Sequence, residues 1–378
     1  MKKITIKLTM ATLVLLSTFA LHPLSSRAQG SLTPPGAPAP TMKTLAQIEA
    51  RTPVDATNTP GTAFVQFVIN QPGSYYLTGN ISAVNKTGIT IQTNDVTLDL
   101  NGFAMTFTGP VSTYNAIAVV GQVAQNNVVI RNGTLRGWAS GVSALGGYCE
   151  LDHVRVYGCV GNGIQIGNYC TVKNCTAVSN GGNGLQIGNF CIVKDCLASS
   201  NYTDGIYGGS DCLVSGCHAD NNASDGIVLS NNFNASQCIA DGNIYGFSLL
   251  GYGRINDCTA NANSSYGIAT QSGCFIKDCV ASTNLSGISC YNNCLVINNS
   301  TSGNTDNGIG TGGSGNRIAN NYCCNNQSGI FSFNGPGADI IVRNTCVGNS
   351  GGNYYPTNGT TFAPIQTPAT ATNPNANF

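Results

Sequence analysis

The chain has 378 residues, among them 47 Gly, 46 Asn and 17 Cys, and only 8% are charged, 16 basic against 16 acidic. Two Glu in all, Glu49 and Glu150, and no basic excess exclude an ordinary helical globule and a nucleic-acid binder driven by net charge. Gly and Asn occupy turns and left-handed backbone positions at low cost, so the expectation is an all-β, turn-dense protein.

Lys2, Lys3 and Lys7 precede an apolar run from Leu8 to Leu21, and Ser26-Arg27-Ala28 places small residues where signal peptidase needs them. Residues 1–28 therefore read as a signal peptide cleaved after Ala28, and the protein as exported: secreted, periplasmic or on the cell surface. No later stretch approaches the ~20 apolar residues of a membrane span. Cleavage removes four basic residues and no acidic one, leaving 12 against 16 and a net charge of −4. Mild acidity disfavours an anionic polymer as a tight ligand unless Ca²⁺ bridges the two. Residues 29–43 form a Pro-rich linker. Thr44 with Gln47 resembles a capping box and Pro53 a stop, which predicts a short helix near 45–51 inside an N-terminal cap over 44–87.

From Gly163 the sequence falls into rows led by Gly and an apolar residue, Gly163-Ile164 through Gly329-Ile330, spaced 20 or 21 residues apart. Such regularity marks a solenoid. Seven residues after the leading Gly stands Cys in several rows (Cys170, Cys191, Cys212), and twelve after it another (Cys175, Cys196, Cys217, Cys238, Cys258, Cys279). Ala recurs two residues later. Seventeen after the Gly comes Asn: Asn180, Asn201, Asn222, Asn243, Asn263, Asn284, Asn304 and Asn325. Apolar residues two apart in short segments, cornered by Gly or Asn, are short strands. Three per coil, stacked in parallel at ~4.8 Å, describe a parallel β-helix of about a dozen coils and roughly 50 to 60 Å. The helix is placed at 88–349 and a C-terminal cap at 350–378, since uncovered strand edges would polymerise.

FVINQPGSYYLTGNI (67–81), NDVTLDLNGFAM (94–105), the Gly-led rows and the ending TNPNANF together resemble exported bacterial right-handed parallel β-helix repeat proteins of the pectin-lyase-like superfamily. The resemblance implies right-handedness and, by association, polysaccharide as the ligand class. Hydrolase motifs of such proteins are absent: there is no Asp-Asp, no Gly-His, and Arg254-Ile255-Asn256 stands where R-I-K would be sought.

The cysteines read as buried thiol ladders, because free Cys fills a narrow core as a small hydrophobe and in-register side chains suit disulfide geometry poorly. Cys323-Cys324, breaking the ladder, is the best site for a bridge, with Cys346 as partner. No C-x-x-C occurs and His153 and His218 are isolated, so a metal cluster is not expected. The Asn column reads as a corner ladder of left-handed residues with stacked amides. Asp99 reads as structural, pointing outward between inward Leu98 and Leu100. Lys173-Asn174, Lys194-Asp195 and Lys277-Asp278 place basic and acidic columns side by side and read as salt-bridged surface.

The column before the leading Gly is the first ligand-binding candidate: Asp204 and Asp225 one coil apart, a weak Ca²⁺ site, with Tyr245 and Tyr266 placed to stack on sugar faces. A loop-built site, if present, is placed in the irregular region 103–160, around Asp152, His153 and Arg155. The resulting expectation is a binder of extracellular or cell-envelope polysaccharide, or a surface scaffold. The alternative is a lyase or hydrolase acting on an acidic glycan, which requires an Arg across from Asp204 and Asp225. A pure adhesin would show no groove, and the T-x-T array of ice binding is absent. Oligomeric state is not legible.

Overall fold

A computed structural model describes residues 49–110, 113–120, 127–333, 339–355, 360–366 and 372–378. The signal-peptide and linker expectations lie outside the described residues, as do residues 44–48 of the expected helix. Among the described residues there is no helix, and Thr52–Pro53 is a strand that pairs with Gly73–Tyr76. None is therefore long and apolar enough to cross a membrane.

Most coils carry three strands, as in Ile164–Ile166, Thr171–Lys173 and Thr176–Val178, and in two upstream coils the second and third run together as Val128–Arg136 and Cys149–Tyr157. The first strand of each coil joins a 14-stranded sheet, here called the front, and the other two join a 26-stranded sheet, the back. All the strand ladders are parallel and in register: Ile206 pairs with Ile227, Val172 with Val193 and Ala177 with Ala198. The front sheet thus counts fourteen coils rather than about a dozen. One extra coil lies before the expected start, where Val65–Ile69 pairs with Thr87–Ile91, and one after the expected end, where Gly352–Tyr355 pairs with Ser328–Ser332; the upstream spacing also departs from the 20-to-21-residue rule, Ile89 pairing with Ile117 across 28 residues and Ile117 with Val142 across 25.

Each coil turns three corners, and each corner is one residue in the left-handed region followed by an inward side chain. Tyr169, Asn174 and Ser179 hold φ of 57°, 54° and 56°, and the residues after them, Cys170, Cys175 and Asn180, are buried. The Asn column is thus not itself left-handed; the residue before it is. Its amides do ladder: Asn180 Nδ2 donates to Asn201 Oδ1 at 2.9 Å, Asn201 to Asn222 at 2.9 Å, and onward through Asn243, Asn263, Asn284 and Asn304. The ladder then passes to Asn326, not Asn325, which takes the left-handed corner at φ 55°. One extra residue between the leading Gly308 and Asn316 shifts that row, since Cys294 binds Asn316 at a spacing of 22. The leading glycines serve this ladder: a Cβ on Gly184 would stand 2.7 Å from Asn201 Nδ2 and from the Gly205 carbonyl.

All seventeen cysteines are free thiols and sixteen are buried. The bridge expected at Cys323-Cys324 is not made. Cys323 pairs in register with Thr301 and Cys346, continuing the Ala column on the inside, while Cys324 points outward beside it. Large apolar side chains fill the core along the whole axis, from Ile89 and Leu98 through Ile164, Leu185, Ile227 and Phe247 to Ile330, and from Cys149 onward columns of buried Cys, Ala and Asn join them.

Candidate functional site: a notch on the front sheet

The front strands turn one side chain per coil outward. From coil to coil this column runs Gln165, Gln186, Tyr207, Val228, Ser248, Ala269, Ser289, Gly310 and Phe331. The column before the leading Gly forms its edge. There Asn162 Oδ1 accepts the Asn183 N–H, Asn183 that of Asp204, Asp204 that of Asp225 at 3.1 Å, and Asp225 that of Tyr245 at 3.4 Å. One oxygen of each Asp is therefore engaged in holding the next coil.

Asp204 and Asp225 do lie one coil apart, as the column predicts. Burial first, and then the Asp204 carboxylate, hold Asp225 above the ordinary carboxylate range. Ca²⁺ takes six to eight oxygens. Among the described residues no third Asp, Glu, His or Cys stands with the pair in a metal-binding group. Nor does an arginine stand opposite. The five Lys and Arg between residues 163 and 333 (Lys173, Lys194, Arg254, Lys277 and Arg317) all belong to back-sheet strands.

Tyr245 and Tyr266 stack on each other, ring centroids 5.4 Å apart and planes 17° from parallel. The next residue in their column is Ser286, so the far face of Tyr266 is left open. It forms one wall of a shallow notch whose floor is Ser289 and Gly310, whose edge is Ser286 and Asn307, and whose other wall is Phe331 with Phe333. Phe331 and Phe333 lie 6.2 Å apart and 15° from parallel. Two coils of small residues separate the walls, which stand three rises apart, roughly 14 Å in a parallel sheet. The notch measures about 190 Å³ and adjoins a hollow of about 440 Å³ lined by Gln271, Ser289, Tyr291 and Gly312. That is an open surface groove, suited to the flank of a long chain rather than to engulfing a small molecule.

Gly310 is informative because neither backbone nor packing requires it. It has no positive φ, and a Cβ there would meet nothing nearer than Asn307 Nδ2 at 3.8 Å. The glycine keeps the notch open.

The Asp152 region is different. Asp152 Oδ1 lies 2.6 Å from His153 Nδ1 and accepts the Asn174 amide at 2.9 Å; Lys173 Nζ lies 2.7 Å from Glu150 and 3.7 Å from Asp152. The predicted salt-bridged surface is present here and at Lys194–Asp195, 3.8 Å, and Lys277–Asp278, 2.9 Å. Asp152, His153 and Arg155 lie on one regular strand, Cys149–Tyr157, with His153 as its corner residue at φ 54°. No loop builds a cleft around them among the described residues; residues 111–112 and 121–126 of the irregular region lie outside that set. Asp99 is structural as expected but buried rather than free. Burial raises its pKa, and the Asn101 N–H, the Asn132 amide and Arg131 outweigh it, leaving the carboxyl below its usual range.

Comparison with known proteins decides the handedness. The right-handed beta helix region family matches residues 68–211 and 124–255. This chain is a right-handed parallel β-helix protein. The A-module of the mannuronan C-5 epimerase AlgE4 of Azotobacter vinelandii shares 15% identity with the β-helix over 71% of this chain and 91% of that one, with a TM-score of 0.57. The periplasmic alginate epimerase AlgG gives 11% over 79% and 83%, TM-score 0.47, and pectate lyase Pel9A 19% over 75% and 70%, TM-score 0.39. At these identities the likeness is one of fold. No curated protein matches the sequence.

Of the residues singled out from sequence, the β-helix brings Asp204, Asp225, Tyr245 and Tyr266 into one edge, and leaves Asp152, His153 and Arg155 on the back sheet. Sequence reasoning missed Ser289, Gly310, Phe331 and Phe333. The signal was available two residues after each leading Gly, where Gln and Tyr give way to Ser, Ala and Gly before Phe331.

Proposed function

We propose that this protein is exported and binds extracellular or cell-envelope polysaccharide along its front sheet, with the notch between Tyr266 and Phe331 as its principal contact. The carrying observation is the open aromatic face of Tyr266 above a floor that Gly310 keeps free of side chains. Aromatic faces stack on the apolar faces of sugar rings, and Ser286, Ser289 and Asn307 supply the hydroxyl and amide partners that fix a sugar's orientation. A surface repeating at each coil suits a polymer, because weak contacts along it add as linked sites do. The export reading rests on the N-terminal sequence. The proteins of like fold include epimerases and a lyase whose names place them on polysaccharides, which is in keeping with a glycan ligand.

Binding rather than turnover is the better reading because the residues lining the notch include no Asp, Glu, His, Lys or Arg. General acid–base work commonly calls on such a group within hydrogen-bond reach of the transferred proton, and the other candidate by residue type, Tyr266, has no cationic side chain beside it in the lining. The deciding experiment is a retention and turnover screen of residues 29–378 on immobilised polysaccharides, with Ca²⁺ and with chelator, following unsaturated-uronate absorbance and reducing ends. Retention without product, reduced at least tenfold in Tyr266→Ala, supports the binder. Ca²⁺-dependent product that vanishes in Asp204→Ala or Asp225→Ala establishes the enzyme alternative instead, and silence in both channels leaves a scaffold.

A further inference from the structure

The charges of the coiled region are sorted by sheet. The five cationic side chains between residues 163 and 333 lie on the back, and none stands on the front. The front edge instead carries Asp204 and Asp225, and Asp306 beside the notch. Asp306 Oδ2 accepts Ser286 Oγ at 3.2 Å and Asn307 Nδ2 at 2.9 Å, so it orients two of the notch's polar groups. Among the described residues none of these three carboxylates forms an ion pair; on the back Glu150, Asp152, Asp195 and Asp278 do, while Asp220 and Asp241 do not, and between residues 163 and 333 it is the back alone that carries cations.

A sugar chain laid along the front would meet negative charge without compensation. A polyuronate would bring one carboxylate per residue into that field. Like charges brought together across an interface are a strong means of rejecting a ligand. A neutral sugar brings no such penalty and presents the hydroxyls that Ser286, Ser289 and Asn307 can bind.

We infer that the front notch selects an uncharged hexose polymer and rejects polyuronates. The inference rests on the reading of the notch as the glycan site and narrows its ligand. It also removes the need for Ca²⁺, whose task at Asp204 and Asp225 would be to bridge an anionic chain.

The test is affinity electrophoresis of the intact mature chain through gels containing glucomannan, hydroxyethyl cellulose, dextran, chitosan, alginate or polygalacturonate, each with Ca²⁺ and with chelator. The variants are Gly310→Phe, which fills the floor as Phe331 does one coil on, and Ser289→Arg, which puts a cation there. Thermal unfolding confirms that both fold. The expected result is retardation by at least one neutral polymer, at least tenfold stronger than by either uronate. Gly310→Phe should abolish it, and Ser289→Arg should gain retardation by a uronate. Uronate retardation of the unaltered protein that Gly310→Phe abolishes would overturn the inference while keeping the notch, as would a preference for chitosan. Retardation that Gly310→Phe leaves unchanged, or none at all, would overturn the notch reading itself.

Discussion

Two stretches of this solenoid solve the same corner with different side chains. Between residues 149 and 294 the inward residue at two of the three corners is mostly Cys: Cys149, Cys170, Cys191, Cys212, Cys274 and Cys294 in one column, Cys175 through Cys279 in the other. Beyond them the same columns continue as amides and one carboxylate. Cys279 N–H donates to Asn299 Oδ1, and the chain of bonds runs on through Asn321, Asn344 and Asn377; Cys294 N–H donates to Asn316, which in turn donates to Asp339. The third corner is Asn almost throughout. The requirement common to all is a small side chain that accepts the N–H of the coil before and donates to a carbonyl. A thiol meets it weakly, as at Cys149 N–H to Cys170 Sγ, 3.3 Å, with its own S–H aimed at a carbonyl such as Asn168 O, 3.2 Å. An amide meets it with short bonds on both sides, as at Asn321, whose Oδ1 accepts the Asn299 N–H at 2.9 Å and whose Nδ2 donates to the Val296 carbonyl at 2.9 Å. Thiol corners are therefore held mainly by burial and amide corners mainly by hydrogen bonds.

The largest difference should appear in reactivity. Cys159 is pushed up to about 11 by burial, and Cys170 and Cys191 to about 11 by hydrogen bonding to the neighbouring thiol and then by burial. Hydrogen bonds from neighbouring thiols instead pull Cys196, Cys238 and Cys294 down, so it is burial, which closes all sixteen to reagent, that protects them. Iodoacetamide on the folded protein should label Cys324, the half-exposed one, at least ~100-fold faster than the other sixteen, and all seventeen after denaturation. Mass spectrometry of timed aliquots reads this directly, and several adducts at early times would show the thiol corners to be open.

Stability should separate the two stretches next. Asn321 accepts from Asn299 and donates to the Val296 and Ala319 carbonyls. Asn321→Ala should cost ~2 to 4 kcal/mol, because each buried polar group left unpaired costs about 1 to 3. Cys217→Ala, in the thiol stretch, removes one small atom group and a weak bond and should cost ~1 kcal/mol. Equal shifts in urea midpoint would erase the distinction between the two kinds of corner.

Asn299→Cys moves the boundary by one coil and should fall between these. Its sulfur can still accept the Cys279 N–H, while its donation to the Ile276 carbonyl and to Asn321 Oδ1 weakens. A cost of ~1 to 2 kcal/mol is expected. A larger loss than in Asn321→Ala would mean that register, not bonding, fixes where the columns change.

How much of this was legible in the sequence follows from the same columns. Rows led by Gly with Cys and Asn at fixed offsets reveal coils, strands and inward ladders, because each column is one physical site repeated. The upstream coils were half-hidden because their strands are joined by connections of unequal length, and length rather than pattern carried the signal. Asn325 was misassigned because a single added residue before Asn316 shifts a row, which counting from Gly308 does not register. The notch escaped because a site made by an absence, the missing side chain at Gly310, has no motif; it needs the neighbouring coils' Tyr266 and Phe331 in place before it can be seen.

The smallest effect concerns a third way of holding a corner, the buried carboxylate ion pair upstream. Asp99 is linked to Arg131 at 3.1 Å and Arg51 at 3.6 Å and accepts the Asn132 amide at 3.2 Å. Its carboxyl is held below the ordinary range, so the folded state favours the charged form. The stability this contributes is present above the ordinary carboxylate pKa of ~4 and is lost as pH falls through the folded value. The contribution should be below ~1 kcal/mol, since Arg131 is largely exposed and solvent screens the pair. Asp99→Asn should therefore unfold at lower urea than the unaltered protein at pH 7, and the gap should close as pH falls from about 4 towards 2. In Asn321→Ala, whose bonds involve no titrating group, the gap should hold at every pH. A gap at Asp99→Asn that persisted at low pH would mean that shape, rather than charge, holds the upstream corner as well.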